Sequence, residues 1–129
     1  MLKQPLKAKH FSLSEILSKN NRHELFDLLN KPYIINNMES LLLILDILRD
    51  SLDAPIFINS FYRDPDHNKR VGGVKTSKHL VGAAVDITSS DFPSLYKVVM
   101  HVNKDNWRVL PYIKRKFLHI ELIKYASIF

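Results

Sequence analysis

The clearest hydrophobic pattern runs through Met38, Leu41, Leu42, Leu45, Leu48 and Leu52, whose three- and four-residue spacing predicts an amphipathic helix with Asn36 or Asn37 as its cap. Ser12-Leu13-Ser14-Glu15 has the form of a capping box and opens a short helix. A second short helix is expected from Arg22 to Leu29, ending before Pro32. The apolar run Pro55 to Ser60 reads as a buried strand with Arg63 just past its end. Asp64-Pro65 then supplies an N-cap and a first-turn proline for a helix through Val71, stopped by Gly72-Gly73. Val81 to Thr88 predicts a strand in which Ala84, Asp86 and Thr88 share one face, giving Asp86 to a cavity and Val85 and Ile87 to the core. Pro93 begins a helix carrying Leu95, Val98, Val99 and Val102, and Trp107 to Tyr112 with Lys116 to Ile123 form a closing hairpin. Helices and antiparallel strands in separate runs give an α+β fold, a sheet with helices packed on it.

Composition narrows this to one small domain. The chain has 129 residues, 46% of them hydrophobic, and no repeat or long linker divides it, so residues 1–10 are expected as a loose tail and 11–129 as a single domain. It has no cysteine, which excludes disulfides, thiolate metal sites and a cysteine nucleophile. Nineteen Lys and Arg against thirteen Asp and Glu give a net charge of +6, suited to a polyanionic neighbour or simply to solubility. The basic residues are dispersed, with local groups at Lys3 to Lys9 and Lys114 to Lys116 and no interleaved aromatics, so nucleic acid is not the expected partner. Met1 to His10 lacks the apolar core of a secretory signal, and no stretch has the apolar length of a membrane span. If the protein acts outside the cytoplasm, something else must carry or release it.

His79 and Asp86 stand seven positions apart across Gly82, a spacing suited to two ligands of a catalytic zinc ion. A third ligand is needed, and the alternating segment Phe117-Leu118-His119-Ile120-Glu121 turns His119 and Glu121 to one face. Gly82 permits the turn between the first ligand and the strand bearing the second. His10, His23 and His101 have no metal spacing among themselves.

The pattern S-x-H-x-x-G-x-A-x-D, formed by Ser77, His79, Gly82, Ala84 and Asp86 and followed by the late His119-Ile120-Glu121, resembles the zinc D-alanyl-D-alanine carboxypeptidases and related bacterial and phage peptidoglycan peptidases. These share their fold with the hedgehog signalling domain. Phe11 to Glu15, Leu48 to Asp50 and Ile58 to Gly73 are similar to successive blocks of the short, phage-type branch. The resemblance implies zinc held by His79, Asp86 and His119, and an arginine, Arg63, that stabilises an oxyanion or clamps a substrate carboxylate. It also makes Tyr62 and Ser77 substrate-side residues, each with an ordinary packing or turn role as the other reading. His67 to Arg70 belong to a helix that buttresses the site.

Two positions depart from that pattern. In several relatives an acidic proton-transfer residue stands three positions before the final histidine, where this chain has Lys116, and a glutamine is common where it has Lys78, a position expected to be peripheral. An ammonium accepts no proton. Glu121 is the substitute base suggested by its face, the other reading being that it orients a ligand. The expectation is therefore a zinc peptidase that cuts an amide bond in peptidoglycan stem peptides. The rival is a non-catalytic wall-binding module or a structural part of a phage particle, and a nucleic-acid-binding domain ranks last.

Overall fold

The computed structural model describes residues 6, 8–17 and 26–127. Helix α1 spans Leu13–Ile16 and carries the expected capping box: Ser12 Oγ accepts from Glu15 N, and Glu15 Oε1 accepts from Ser12 N. Of the helix expected over Arg22 to Leu29, residues 22–25 lie outside the described residues and 26–29 are helical.

Helix α2 spans Pro32–Ser51 and so begins six residues ahead of the expected start at Met38. Pro32 occupies the first turn, where its missing N–H costs nothing and its fixed φ already suits a helix. Ile34, Met38, Leu41, Leu42, Leu45 and Leu48 form its buried stripe. Asn37, expected as a cap, instead lies inside the helix and is buried. Its side-chain amide donates to Val81 O at 2.9 Å and Ala126 O at 2.7 Å, and its carbonyl accepts from Ala126 N at 2.8 Å. One polar side chain thus ties the long helix to the ligand-bearing turn and to the chain's last described segment.

Four antiparallel strands follow: β1 Ile56–Ser60, β2 Ala84–Ser89, β3 Trp107–Tyr112 and β4 Phe117–Leu122, in the spatial order β1-β2-β4-β3. Between β1 and β2 come α3, Pro65–Arg70, capped by Asp64, and a 3₁₀ turn, Lys78–Val81, capped by Ser77. The strand expected from Val81 therefore starts at Ala84. Gly82 intervenes in the left-handed region at φ 70°, closing the turn before extension begins. Helix α4, Phe92–His101, crosses between β2 and β3 with Asp91 as its cap.

Register separates the two faces of the sheet. Asp86 pairs with His119 and Leu110 pairs with His119, so these three share one face. Val85, Ile87, Leu118 and Ile120 occupy the opposite face, fully buried in the core with Leu45, Leu48, Leu95 and Val99 of α2 and α4. Residues ahead of Phe11 contribute to the body as well: Leu6 is buried, and Lys9 N and His10 N donate to the Asp46 carboxylate at 2.8 and 3.0 Å. Among the described residues no helix is long and apolar enough to cross a membrane.

Candidate metal centre

Three separate segments deliver the potential ligands. His79 comes from the 3₁₀ turn, Asp86 from the middle of β2, and His119 from the middle of β4, directly across from Asp86. His79 Nε2 lies 3.4 Å from Asp86 Oδ2, and His119 Nδ1 lies 2.8 Å from Asp86 Oδ1. One ligand atom from each residue falls within 4.8 Å of the others.

The remaining ring nitrogens are already engaged. His79 Nδ1 is 2.6 Å from Phe61 O, and because a carbonyl only accepts, that nitrogen carries a proton and Nε2 is the atom that faces the cluster. His119 Nε2 is 2.9 Å from Glu121 Oε1, which leaves Nδ1 facing Asp86. Two imidazole nitrogens and one carboxylate oxygen converge, each imidazole fixed from behind by an oxygen acceptor. That donor set fits a zinc-type divalent cation.

Electrostatics keep the carboxylates ionised. Burial raises the pKa of Asp86, but hydrogen bonds from His119 and His79 outweigh it and hold the carboxyl well below its ordinary range. Burial likewise works against ionised Glu121, yet Lys78, His119 and Arg108 lower its pKa to about 2. For His119 burial favours the neutral ring, while Asp86 and Glu121 raise the pKa above its usual value.

Arg63 reaches the cluster from the end of β1. Its Nη2 lies 3.6 Å from Asp86 Oδ2, Nε donates to Ser60 Oγ at 2.9 Å, and Nη1 is 3.4 Å from Asn68 Oδ1. Asn68 is itself held by Val74 O at 2.9 Å, so α3 does brace the guanidinium. Ser77 Oγ accepts from His79 N at 3.2 Å, capping the turn that carries the ligand. Tyr62 points elsewhere: it is buried, its hydroxyl donates to the Asp27 carboxylate, and it lines a cavity of about 480 Å³ between α1, β1 and α3 that none of the three ligands lines.

Two residues enter the site beyond those expected there: Arg108, and Lys78, noted in the sequence only as a departure from the family pattern. Lys78 sends its ammonium back to Glu121 Oε2 at 2.8 Å and Leu122 O at 2.7 Å. Arg108, the cross-strand partner of Glu121, donates from Nε to the same Oε2 at 2.8 Å. The Arg108 pairing was available from the hairpin register, since alternation faces it with Glu121. Lys78 had no such signal, because a 3₁₀ turn leaves no periodicity to read. Lys116 stands in the β3–β4 turn at φ 55°, exposed, its carbonyl accepting from Thr88 Oγ1 at 2.6 Å.

A family model of Peptidase M15 matches residues 9–121, while no curated protein and no solved structure matches significantly. With that match extending over most of the chain and over every residue of the cluster, the protein belongs to the Peptidase M15 family, the peptidases of the zinc D-Ala-D-Ala carboxypeptidase type.

Proposed function

We propose that this chain is a zinc metallopeptidase that hydrolyses an amide bond in peptidoglycan stem peptides, with His79, Asp86 and His119 as the metal ligands. The observation that carries the reading is the convergence of His79 Nε2, Asp86 and His119 Nδ1, with each ring's other nitrogen held by an oxygen. Zinc bound there supplies Lewis-acid polarisation of the scissile carbonyl. Arg63 has donors at the edge of the cluster for the negative charge that develops on the substrate oxygen. Ser77 holds the His79 turn and thereby the rim of the substrate site. Glu121, with both oxygens occupied by His119, Lys78 and Arg108, orients His119 and is not the proton acceptor. A basic surface suits an anionic wall, where the protein acts once released from the cytoplasm.

A second reading, a family member that binds the wall without cleaving it, is favoured by Lys116 in the proton-transfer position and by the occupied Glu121 carboxylate. Purified peptidoglycan incubated with zinc-loaded protein, followed by mass spectrometry, separates the two. New peptide termini identify the peptidase and its bond. Intact glycan peptides together with zinc-dependent co-sedimentation on the wall identify the binding module. Undiminished stoichiometric zinc in His79→Ala, Asp86→Ala and His119→Ala alike would refute the ligand set.

A further inference from the structure

We infer that Lys78 is a positioning residue, which with Arg108 clamps Glu121 so that His119 offers Nδ1 to the metal, and which locks together the two segments that carry the histidine ligands. The inference rests on the zinc-site reading above and extends it to residues outside the ligand set.

Lys78 immediately precedes His79, and its backbone carbonyl accepts from Ala83 N, so it is built into the turn that presents the first ligand. Its ammonium crosses to β4, donating to Glu121 Oε2 and to Leu122 O, and lies 5.3 Å from the centre of the Tyr125 ring. A carboxylate, a carbonyl and a ring face therefore surround one cation. Lys78 is largely buried, with the Glu121 side chain only 8% exposed, so this ion pair is poorly screened compared with a surface pair. Arg108 closes on Oε2 from β3 and is more than half exposed.

The division of labour between the two carboxylate oxygens is the key point. Both cations take Oε2, leaving Oε1 directed at His119 Nε2 at 2.9 Å. A carboxylate oxygen can only accept from that nitrogen, so Nε2 keeps its proton and Nδ1 is the atom left for a metal. Without the cations Glu121 would keep only its contact with His119 and be free to turn Oε1 away, which releases the ring.

The test is a set of zinc titrations against a chromophoric competitor for the full chain, Lys78→Met, Lys78→Arg, Glu121→Gln and the Lys78→Met/Glu121→Gln pair. Circular dichroism of the metal-free proteins checks folding. Lys78→Met should bind zinc about 10- to 100-fold more weakly than wild type. Lys78→Arg, which keeps a cation, should recover most of that loss. In the Glu121→Gln background the further change at Lys78 should matter little, because the clamp's target is already gone. Ring nitrogen NMR of zinc-loaded wild type should find His119 protonated at Nε2, and a growing Nδ1-protonated fraction in Lys78→Met. A folded Lys78→Met with wild-type zinc affinity and an unchanged His119 spectrum overturns the inference and leaves the ligand set standing. Wild type that takes up no zinc overturns the ligand set and this inference with it.

Discussion

Replacing Gly82 by alanine isolates the contact that sets the ligand turn against the long helix. Gly82 sits at φ 70°, and a β-carbon there would lie 2.7 Å from Met38 Cγ, 2.9 Å from Ile34 Cγ2 and 2.9 Å from Ile34 O. The left-handed backbone alone costs an L-residue roughly 1–2 kcal/mol. Overpacking against a filled core adds about 1–3 kcal/mol, and one of the three obstacles is helix backbone, which cannot swing aside as a side-chain end would. The expected total is about 2–5 kcal/mol. Gly72 supplies the control, since it has φ 73° and nothing within 4 Å of the added carbon, so Gly72→Ala carries only the backbone cost of roughly 1–2 kcal/mol. An unfolding entropy of about 2.1 cal/mol/K per residue puts 1 kcal/mol at about 4 °C of melting temperature for a chain of this length. Thermal unfolding in chelator, where bound metal does not contribute, should then lower the midpoint by about 4–8 °C for Gly72→Ala and by about 8–20 °C for Gly82→Ala. Equal shifts for the two variants would refute the steric account. Zinc affinity should fall with Gly82→Ala as well, because the displaced turn carries His79, and should not change with Gly72→Ala.

Asn37→Ala removes three hydrogen bonds at one buried site and strands Val81 O and both polar groups of Ala126, so urea unfolding should give a loss of about 2–4 kcal/mol. Hydrogen bonds from His10 and Lys9 lower the pKa of Asp50 below 3.8, so its contribution is fully present above that value and disappears as pH falls through the lowered folded-state pKa. The urea midpoint of Asp50→Asn should therefore decline less steeply than wild type between about pH 4 and pH 2, and 0.5 M salt should shrink the difference; parallel declines would sink this assignment. Arg63→Lys should keep zinc and fold but lose on the order of a hundredfold in turnover, because an ammonium cannot span Ser60, Asn68 and the substrate oxygen at once. Unchanged turnover would reduce Arg63 to a structural brace.

The parts of the fold that were legible are those where one local rule acts alone. The α2 stripe is read directly from Met38, Leu41, Leu45 and Leu48, and the opposed faces of β2 and β4 follow from alternation around Asp86 and His119. Boundaries failed where two rules compete. Before Met38 the apolar residues Tyr33, Ile34 and Ile35 are separated from the rest of the stripe by a polar pair, Asn36 and Asn37, which reads as a cap until tertiary hydrogen bonds make Asn37 an interior residue. Val81 looked like strand because it is β-branched and precedes Gly-Ala-Ala-Val, but Gly82 in the left-handed region ends a 3₁₀ turn there. Of the site, the ligand atoms were legible as residue types and their orientation was not. Which nitrogen of His79 faces the cluster depends on the carbonyl of Phe61, eighteen residues away, and no spacing rule carries that information.

Proton transfer makes the opposite demand on a carboxylate from ligand orientation, and Lys116→Glu tests where this chain can meet it. A general base needs a lone pair facing the reacting water and a pKa near the working pH. Glu121 is engaged the other way: three donors hold its oxygens and keep its pKa down to about 2. Position 116 has room for the role. Its side chain is exposed, without an ion pair among the described residues, and its backbone is pinned by Thr88 Oγ1, so exchanging the side chain leaves the turn in place. Both lysine and glutamate carry a β-carbon at φ 55°, so the strain of that backbone is common to them and drops out of the comparison. Lys116→Glu should therefore match wild type in melting temperature and zinc content while raising the rate of peptidoglycan cleavage by roughly 10²- to 10⁴-fold, the usual worth of a positioned acid–base group. Lys116→Gln removes the cation without adding a base and should stay near the wild-type rate. If both variants accelerate cleavage equally, the lysine charge was the obstacle and no base was gained. If Lys116→Glu binds zinc normally and leaves the rate where it was, position 116 does not face the reacting water.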